Sequence, residues 1–205
     1  MPVRTVLHQP GRPIEFGYFM ESGLASLLAV MSDGKSVEVG LSGKEGFIGT
    51  PLTVGLRTSP SLAVMQVNGS GFRIRSEKFV SILGKCPGLE KLLNQFCQQL
   101  MMQSTQVAAC NRVHEVEERL ARWLLMSQDR LQSNFVPLTQ QTLANMLGTR
   151  RASVTVAAGI LQKGGLITYV RGKVLIENRR GLEAASCECY KKLDEQFLRW
   201  RHESK

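Results

Sequence analysis

The sequence lacks any long apolar run. Among its 205 residues no uncharged apolar stretch reaches 18, so no segment has the length and composition of a membrane-spanning helix. The first residues, MPVRTVLHQPGRP, also lack the apolar core of a secretory signal peptide. Both absences favour a cytoplasmic protein without a membrane partner.

Cysteine is scarce, and the five residues are odd in number: Cys86, Cys97, Cys110, Cys187 and Cys189. Three of them lie in otherwise apolar helical patterns, whereas a secreted disulfide framework has paired cysteines in a loop-rich chain. We expect reduced thiols. Cys187 and Cys189 are separated by one residue and have no obvious second pair of ligands, so the sequence predicts neither a metal site nor a cofactor.

The chain also lacks the usual signs of an enzyme. There is no nucleophile paired with a base, and the segment GKEG does not have the longer spacing of a phosphate-binding loop. The three histidines, His8, His114 and His202, are scattered, and we interpret them as surface or boundary residues that do not ligate haem. We therefore predict no catalytic residue.

Acidic residues are nearly missing from one region. The chain has 26 basic and 17 acidic residues, a net charge of +9. Residues 135–180 contain seven arginines and lysines but only one acid, Glu177, so this segment contributes +6 of that charge. An anionic partner is favoured, although charge alone does not separate nucleic acid from a membrane surface or from plain solubility.

Residues 3–74 show short strand-like runs separated by turn residues, the pattern of an all-β sandwich or barrel. The clearest hairpin is LLAVMSDGKSVEVGL, in which Asp33 and Gly34 supply the positive φ angles of a tight turn. In its second strand Val37, Val39 and Leu41 alternate with Ser36, Glu38 and Gly40. This alternation predicts one buried face and one solvent-exposed face.

A long helix with a heptad pattern follows. Seven positions alternate at spacings of four and three: Leu89, Leu93, Phe96, Leu100, Gln103, Val107 and Cys110. The regular spacing predicts a dimer interface of coiled-coil type, with Gln103 as a polar residue that sets the register. The same face could instead pack on the chain's own β domain, and that alternative stays open.

Two short helices with a tight turn are predicted next. Thr139 has the position of an N-cap, with Leu138 and Leu143 as a hydrophobic staple, and the first helix should run to about residue 147. Gly148 supplies the left-handed residue that ends this helix, and Thr149 is expected to cap the second. The pattern is typical of a helix-turn-helix.

The second helix has two different faces. Val154, Ala158 and Leu161 form an apolar inner face, while Arg151, Thr155 and Gln162 lie opposite with Ala152 beside them. A small, polar face with arginine at its leading end suits the DNA major groove, where arginine can donate two hydrogen bonds to guanine.

A strand-like hairpin follows the second helix, with Arg171 and Lys173 at its tip. A helix-turn-helix followed by a basic hairpin is a winged helix, a module that can also dock proteins.

The segment LTQQTLANMLGTRRASVTVAAGILQKGGLI resembles the helix-turn-helix signature of the Crp/Fnr family of bacterial transcription regulators, and GYFMESGLASLLAVMSDGKSVEVGLSGKEGFIG resembles that family's β-roll. The resemblance implies an α+β protein: an antiparallel, jelly-roll-like β-roll over residues 1–88 that lacks an expected leading segment, a dimerisation helix over 89–112 and a winged helix-turn-helix over 113–205. It further implies a homodimer that binds a near-palindromic double-stranded operator and contacts RNA polymerase.

The resemblance assigns roles to single positions. Phosphate contacts fall on Thr139, Gln140, Gln141, Arg150 and Ser153, and a base contact falls on Arg151. The predicted DNA surface also includes Thr149, Ala152, Thr155, Arg171 and Lys173. Ala152 and Val156 replace a glutamate and an arginine of the cyclic-AMP-binding members, so a different operator is expected.

The sensory pocket departs further from those members. Thr50 stands where a glutamate would bind the ribose, and Pro60 and Ser61 stand where an arginine and a serine would bind the cyclic phosphate. Arg57 lies three residues too early. We predict a degenerate pocket near Gly49, Thr50, Pro60 and Ser61 that does not bind cyclic AMP and whose ligand is unknown.

A second hypothesis for the function of the whole protein is a small-molecule or redox sensor that acts through protein partners.

Overall fold

The computed structural model describes residues 1–203, so residues 204 and 205 of the predicted C-terminal domain lie outside the described residues. The chain divides into two compact units, Met1–Met101 and the residues from Met102 onward. Within the described residues, none of the helices is both long enough and apolar enough to cross a bilayer.

The first unit contains seven strands: β1 Val6–His8, β2 Phe16–Met20, β3 Leu24–Val30, β4 Ser36–Ser42, β5 Phe47–Ile48, β6 Ser61–Val67 and β7 Gly71–Arg75. They form two antiparallel sheets, one in the order β1-β6-β3-β4 and the other in the order β5-β2-β7. A 3-10 helix covers Thr50–Val54, α1 covers Ser76–Leu83, and α2, Pro87–Val113, runs on into the second unit. The predicted antiparallel β-roll followed by a long helix is confirmed.

The hairpin between β3 and β4 differs from its prediction at the turn. The strands are joined by the five residues 31–35, and only Gly34 has a positive φ, 80°. Asp33 stays in an ordinary conformation and accepts a hydrogen bond from the backbone nitrogen of Lys35 at 3.0 Å. The longer loop needs only one left-handed residue, whereas the predicted two-residue turn needs two.

The predicted solvent-exposed face of β4 is also wrong, because Glu38 is buried. Its Oε2 accepts a hydrogen bond from Ser26 Oγ at 2.5 Å. Gly40, two residues further on the same face, lies against Leu100: a Cβ added at Gly40 would meet Leu100 Cδ1 at 2.8 Å. Helix α2 therefore covers this face, and strand alternation alone cannot show that a second layer lies there.

The heptad seam of α2 is buried within the chain itself. Leu93 and Phe96 belong to the core that also contains Phe47 and Phe79, and Gln103 accepts a hydrogen bond from Arg130 at 3.3 Å. Val107 and Cys110 are buried in the second unit. These five seam residues offer no surface to a partner, and the alternative of packing on the chain's own units accounts for them.

The second unit is built around α3, Val116–Leu131. The other elements are β8 Phe135–Val136, α4 Gln140–Met146, α5 Arg151–Lys163, β9 Ile167–Val170, β10 Lys173–Ile176, α6 Arg179–Ala185 and α7 Cys189–Glu203, with the sheet order β8-β10-β9. Helix α3 packs against α5, α6 and α7, and its residues 119–128 are all buried. Arg119 and Arg122 are therefore buried, although charged residues of an amphipathic helix normally face solvent.

Candidate nucleic-acid interface

The helix-turn-helix begins and turns at the predicted residues. Thr139 is the N-cap of α4, and its Oγ1 accepts a hydrogen bond from the backbone nitrogen of Thr142 at 3.2 Å. Gly148 has φ of 58° and lets the chain leave α4 in a left-handed conformation. The predicted cap at Thr149 is wrong by one residue: Arg150 is the N-cap of α5, without a side-chain capping bond. Thr149 instead continues the turn, and its backbone nitrogen donates to Ala144 O at 3.0 Å.

Helix α5 is oriented by its apolar face. Val154, Ala158 and Leu161 are buried as predicted, together with Ala157. The side chains of Arg151, Ala152, Thr155 and Val156 are exposed, and Ser153 is half-buried. No acidic residue occurs in this helix. The exposed face is therefore small, partly polar and basic at its N-terminal end, where the helix dipole adds to the positive potential.

Side-chain contacts connect α5 to α4. Thr155 Oγ1 donates to Gln140 Oε1 at 2.8 Å, so two predicted DNA contacts are bonded to each other. Gln141 is exposed and donates to Asn145 Oδ1 at 3.1 Å along its own helix. Arg119 of α3 donates to the carbonyl of Leu147 at the end of α4. The sequence pattern did not identify Arg119 as a residue that supports the turn after α4, because a charged residue in an amphipathic helix is normally assigned to its exposed face.

The wing is the hairpin of β9 and β10. Its tip residues Arg171 and Gly172 have φ angles of 48° and 78°, the two positive values of a type I′ turn. A Cβ added at Gly172 would lie 3.3 Å from Thr139 Cγ2, so the tip of the wing lies beside the start of α4. Tyr169 Oη donates to Leu138 O at 3.0 Å and fixes this approach.

Two predicted surface residues contact the wing sheet. Lys173 Nζ lies 5.6 Å from the centroid of the Phe135 ring, a cation–π distance. Gln162 Oε1 accepts a hydrogen bond from the backbone nitrogen of Tyr169 at 2.9 Å. Gln162 is exposed, as the helical spacing predicted, and its side chain joins α5 to the wing.

One of the seven basic residues in the segment 135–180 is bonded to other side chains of the protein. Arg179 contacts carboxylate oxygens of Asp129 and Glu183 at 2.8 Å each and donates to Tyr190 Oη at 2.6 Å. Burial by itself would lower the pKa of Arg179, but the bonds with Asp129 and Glu183 raise it. The positive charge available at the surface therefore comes from the other basic residues, among them Arg150, Arg151 and Arg171.

The turn between α4 and α5 provides a stability test. Replacing Gly148 with alanine places a Cβ on a residue with positive φ and should destabilise the protein by about 1–2 kcal/mol. Gly159 is the matched control, because it is helical and its Cβ would meet no atom within 4 Å. Gly159→Ala should stabilise by about 0.5–1 kcal/mol. Urea unfolding measures both changes, and equal effects of the two variants would contradict the left-handed turn.

The first unit contains a cavity of about 870 Å³ between the 3-10 helix and α2. Of the predicted pocket residues, Thr50 and Pro60 line it, whereas Gly49 and Ser61 do not. Its charged lining residues are Glu90 and Lys91. Arg57 is not part of the lining and pairs with Glu77 at 3.2 Å on the surface.

Of the three histidines, which the sequence predicts to be surface or boundary residues, His8 departs from that prediction. His8 is buried, and this burial lowers its pKa despite a backbone hydrogen bond with Ser61. His114 lies beside Cys110, Cys187 and Cys189. His202 is exposed at the end of α7, as predicted.

Comparisons with known proteins agree with this geometry. Residues 118–185 match the family model of the Crp-like helix-turn-helix domain. None of the curated proteins matches the chain.

Solved structures with the same fold include TTHA1359, a CRP/FNR-family transcriptional regulator from Thermus thermophilus, at 22% identity and a TM-score of 0.75, with 91% of this chain and 96% of that chain covered. TTHB099, a CRP-family regulator from the same organism, has 16% identity and a TM-score of 0.75, with 91% and 95% covered. FixK2 from Bradyrhizobium japonicum has 15% identity and a TM-score of 0.77, with 91% and 94% covered.

The chain thus combines an N-terminal β-roll with a C-terminal winged helix-turn-helix of the Crp-like type. The matched domain agrees with the helix-turn-helix predicted from the sequence, and the three solved structures share the fold of this chain.

Proposed function

We propose that the protein regulates transcription as a homodimer that binds a near-palindromic DNA operator in the cytoplasm. The observation that carries this proposal is one continuous surface. It consists of the exposed face of α5, which has no acid, together with the start of α4 and the wing, which lie against each other. By the family resemblance, such a dimer also contacts RNA polymerase.

The residue roles follow from position and exposure. Arg151 is on the exposed face at the first turn of α5 and is the base-reading residue, because a recognition helix contacts bases with its N-terminal residues. Arg150, Ser153 and the first residues of α4 contact phosphates, as do Arg171 and Lys173 of the wing. Ala152 and Val156, both exposed, give the helix an apolar patch suited to a thymine methyl group.

The direct test is selection of bound duplexes from a random DNA pool at moderate salt. Enriched sequences should contain two inverted half-sites with centres about one helical turn apart. The same selection with both Arg150 and Arg151 replaced by alanine is the control, and it should enrich nothing. Absence of any preferred sequence with the unchanged protein would refute the proposal.

The dimer interface is assigned to the exposed side of α2, since the opposite side is buried in the chain. This side presents a second set of residues at spacings of four and three: Asn94, Gln98, Met101, Thr105, Ala108 and Arg112, all exposed. Small residues such as Ala108 permit close approach of two helices. A parallel pair of α2 helices would place two α5 helices on the same side of the dimer, as binding to two half-sites requires.

The effector domain is proposed not to bind cyclic AMP. The 870 Å³ cavity has one basic lining residue, Lys91, and Arg57 is engaged with Glu77. A buried cyclic phosphate needs a cation to replace its hydration. Differential scanning fluorimetry with millimolar cyclic AMP should therefore leave the melting temperature unchanged, whereas a clear increase would contradict this assignment.

The role of the wing can be tested at Arg171, where one substitution should raise the stability of the protein and lower its affinity for DNA. Arg171→Asn should stabilise the protein by up to about 1 kcal/mol, because asparagine tolerates positive φ better. The same change should weaken DNA binding and reduce the slope of log K against log salt by about 1. Arg171→Lys is the control that keeps the charge. An unchanged salt slope for Arg171→Asn would favour protein docking by the wing over DNA contact.

A further inference from the structure

Four potential metal ligands meet inside the second unit. Cys110 lies near the end of α2, His114 follows that helix, and Cys187 and Cys189 flank the start of α7. Their ligand atoms all lie within 4.8 Å of one another. The three cysteines are buried, and the His114 side chain is 14% exposed. Three thiols and an imidazole that converge without solvent form a set that holds divalent metals in proteins.

The distances suit a single ion. Cys110 Sγ lies 3.5 Å from Cys187 Sγ, and Cys189 Sγ lies 3.6 Å from His114 Nδ1. A tetrahedral site with metal–sulfur bonds of about 2.3 Å separates neighbouring sulfurs by roughly 3.7 Å. An iron–sulfur cluster places its inorganic core between the cysteines and needs a wider arrangement. The geometry therefore fits one tetrahedral metal ion.

The second ring nitrogen of His114 is held by a carboxylate. His114 Nε2 lies 2.8 Å from Glu188 Oε2, which leaves Nδ1 directed at the cysteines. A carboxylate that binds the outer nitrogen of a ligating histidine fixes the ring orientation and makes the inner nitrogen a better donor to metal. Gln106 Nε2 donates to Cys189 Sγ at 3.0 Å and would stabilise the thiolate.

Positive charge is buried on the adjacent helix. Arg119 and Arg122 of α3 are 7% and 3% exposed, and within residues 1–203 neither forms a salt bridge with a carboxylate. The Nε atom of each is buried without a hydrogen-bond partner. A buried cation without a counterion is costly, and an anionic thiolate site would offset part of the positive charge of the two guanidinium groups.

Cysteine binds metal as the thiolate, so a bound cation would displace the thiol protons at this site.

We propose that Cys110, His114, Cys187 and Cys189 bind one Zn²⁺ ion in a closed, structural site. Zinc takes this number and type of ligands in tetrahedral geometry, and three thiolates with one imidazole leave no position for a substrate. With Zn²⁺ bound, the site carries one net negative charge beside Arg119 and Arg122. The ion joins the end of α2 to the connection between α6 and α7, elements separated by more than seventy residues in sequence.

Metal content tests the site in the full-length protein. Protein purified under reducing conditions should contain one zinc ion per chain, measured by inductively coupled plasma mass spectrometry. After zinc removal, titration with Co²⁺ alone should produce the intense visible bands of a tetrahedral complex and a sulfur-to-cobalt charge-transfer band, saturating at one ion per chain. Added Zn²⁺ should abolish these bands.

Variants separate the site from the other thiols. Cys187→Ser, Cys189→Ser and His114→Gln should each lose zinc or change the Co²⁺ spectrum. Cys86→Ser and Cys97→Ser are matched controls outside the cluster and should retain both. Because a buried variant can fail to fold, the Co²⁺ titration of the unchanged protein is decisive. A reduced protein that binds neither ion, or one in which only a Cys110–Cys187 disulfide forms, would overturn the proposal.

Discussion

Replacing Arg151 with alanine is expected to weaken binding to the selected operator by about 1–3 kcal/mol, roughly a 5- to 150-fold loss. Arg151 is exposed on the first turn of α5, so its loss should leave the fold unchanged while removing hydrogen bonds to one base. Base preference should relax at a single position of each half-site. Fluorescence anisotropy with the operator and with single-base variants measures both effects.

Arg150→Ala is the neighbouring control for that measurement. Arg150 is the N-cap residue of α5 and is exposed, but we assign it to phosphate. Its replacement should weaken binding to all sequences equally and lower the salt slope by about 1. If Arg151→Ala also weakens every sequence equally, Arg151 contacts phosphate and another residue must read the operator.

A negative charge at Ala108 is expected to have the largest effect on operator binding. Ala108→Glu introduces two carboxylates that face each other across a two-fold axis if α2 forms the dimer interface, and their repulsion should separate the protomers. A monomer binds one half-site, so operator affinity should fall by roughly 10²- to 10⁴-fold. Sedimentation velocity gives the oligomeric state, and anisotropy gives the affinity.

Ala184→Glu provides the matched control, because Ala184 is also an exposed helical alanine but lies on α6 instead of α2. It should leave the protein dimeric with normal operator affinity. A dimer that persists with Ala108→Glu would show that the protomers meet through another surface. A protein that is monomeric before any substitution would refute the dimer itself.

The elements that sequence patterns predicted well are those set by local chemistry. The cap at Thr139, the turn at Gly148 and the hairpin at Arg171 and Gly172 each depend on the conformational preferences of a few adjacent residues. The inner face of α5 follows from helical periodicity, which does not depend on what covers it. These features place most of the predicted DNA surface without tertiary information.

The errors concern partners that lie far away in sequence. Periodicity showed that one side of α2 is buried, but it could not show that the covering residues belong to the same chain. The burial of Glu38 and the ion pair between Arg179 and Asp129 likewise depend on elements that are distant in sequence. The cysteine–histidine cluster does not follow from the spacing of Cys187 and Cys189, because Cys110 and His114 lie more than seventy residues away in sequence.

The contact between Gly172 and Thr139 has a thermodynamic consequence. Together with the bonds of Tyr169 to Leu138 and of Thr155 to Gln140, it holds wing and helices in a single arrangement before DNA arrives. Such preorganisation removes most of the ordering entropy that a mobile wing would lose on binding. Replacing Gly172 with a larger residue would therefore make the entropy of association less favourable, although every side chain that contacts DNA would still be present.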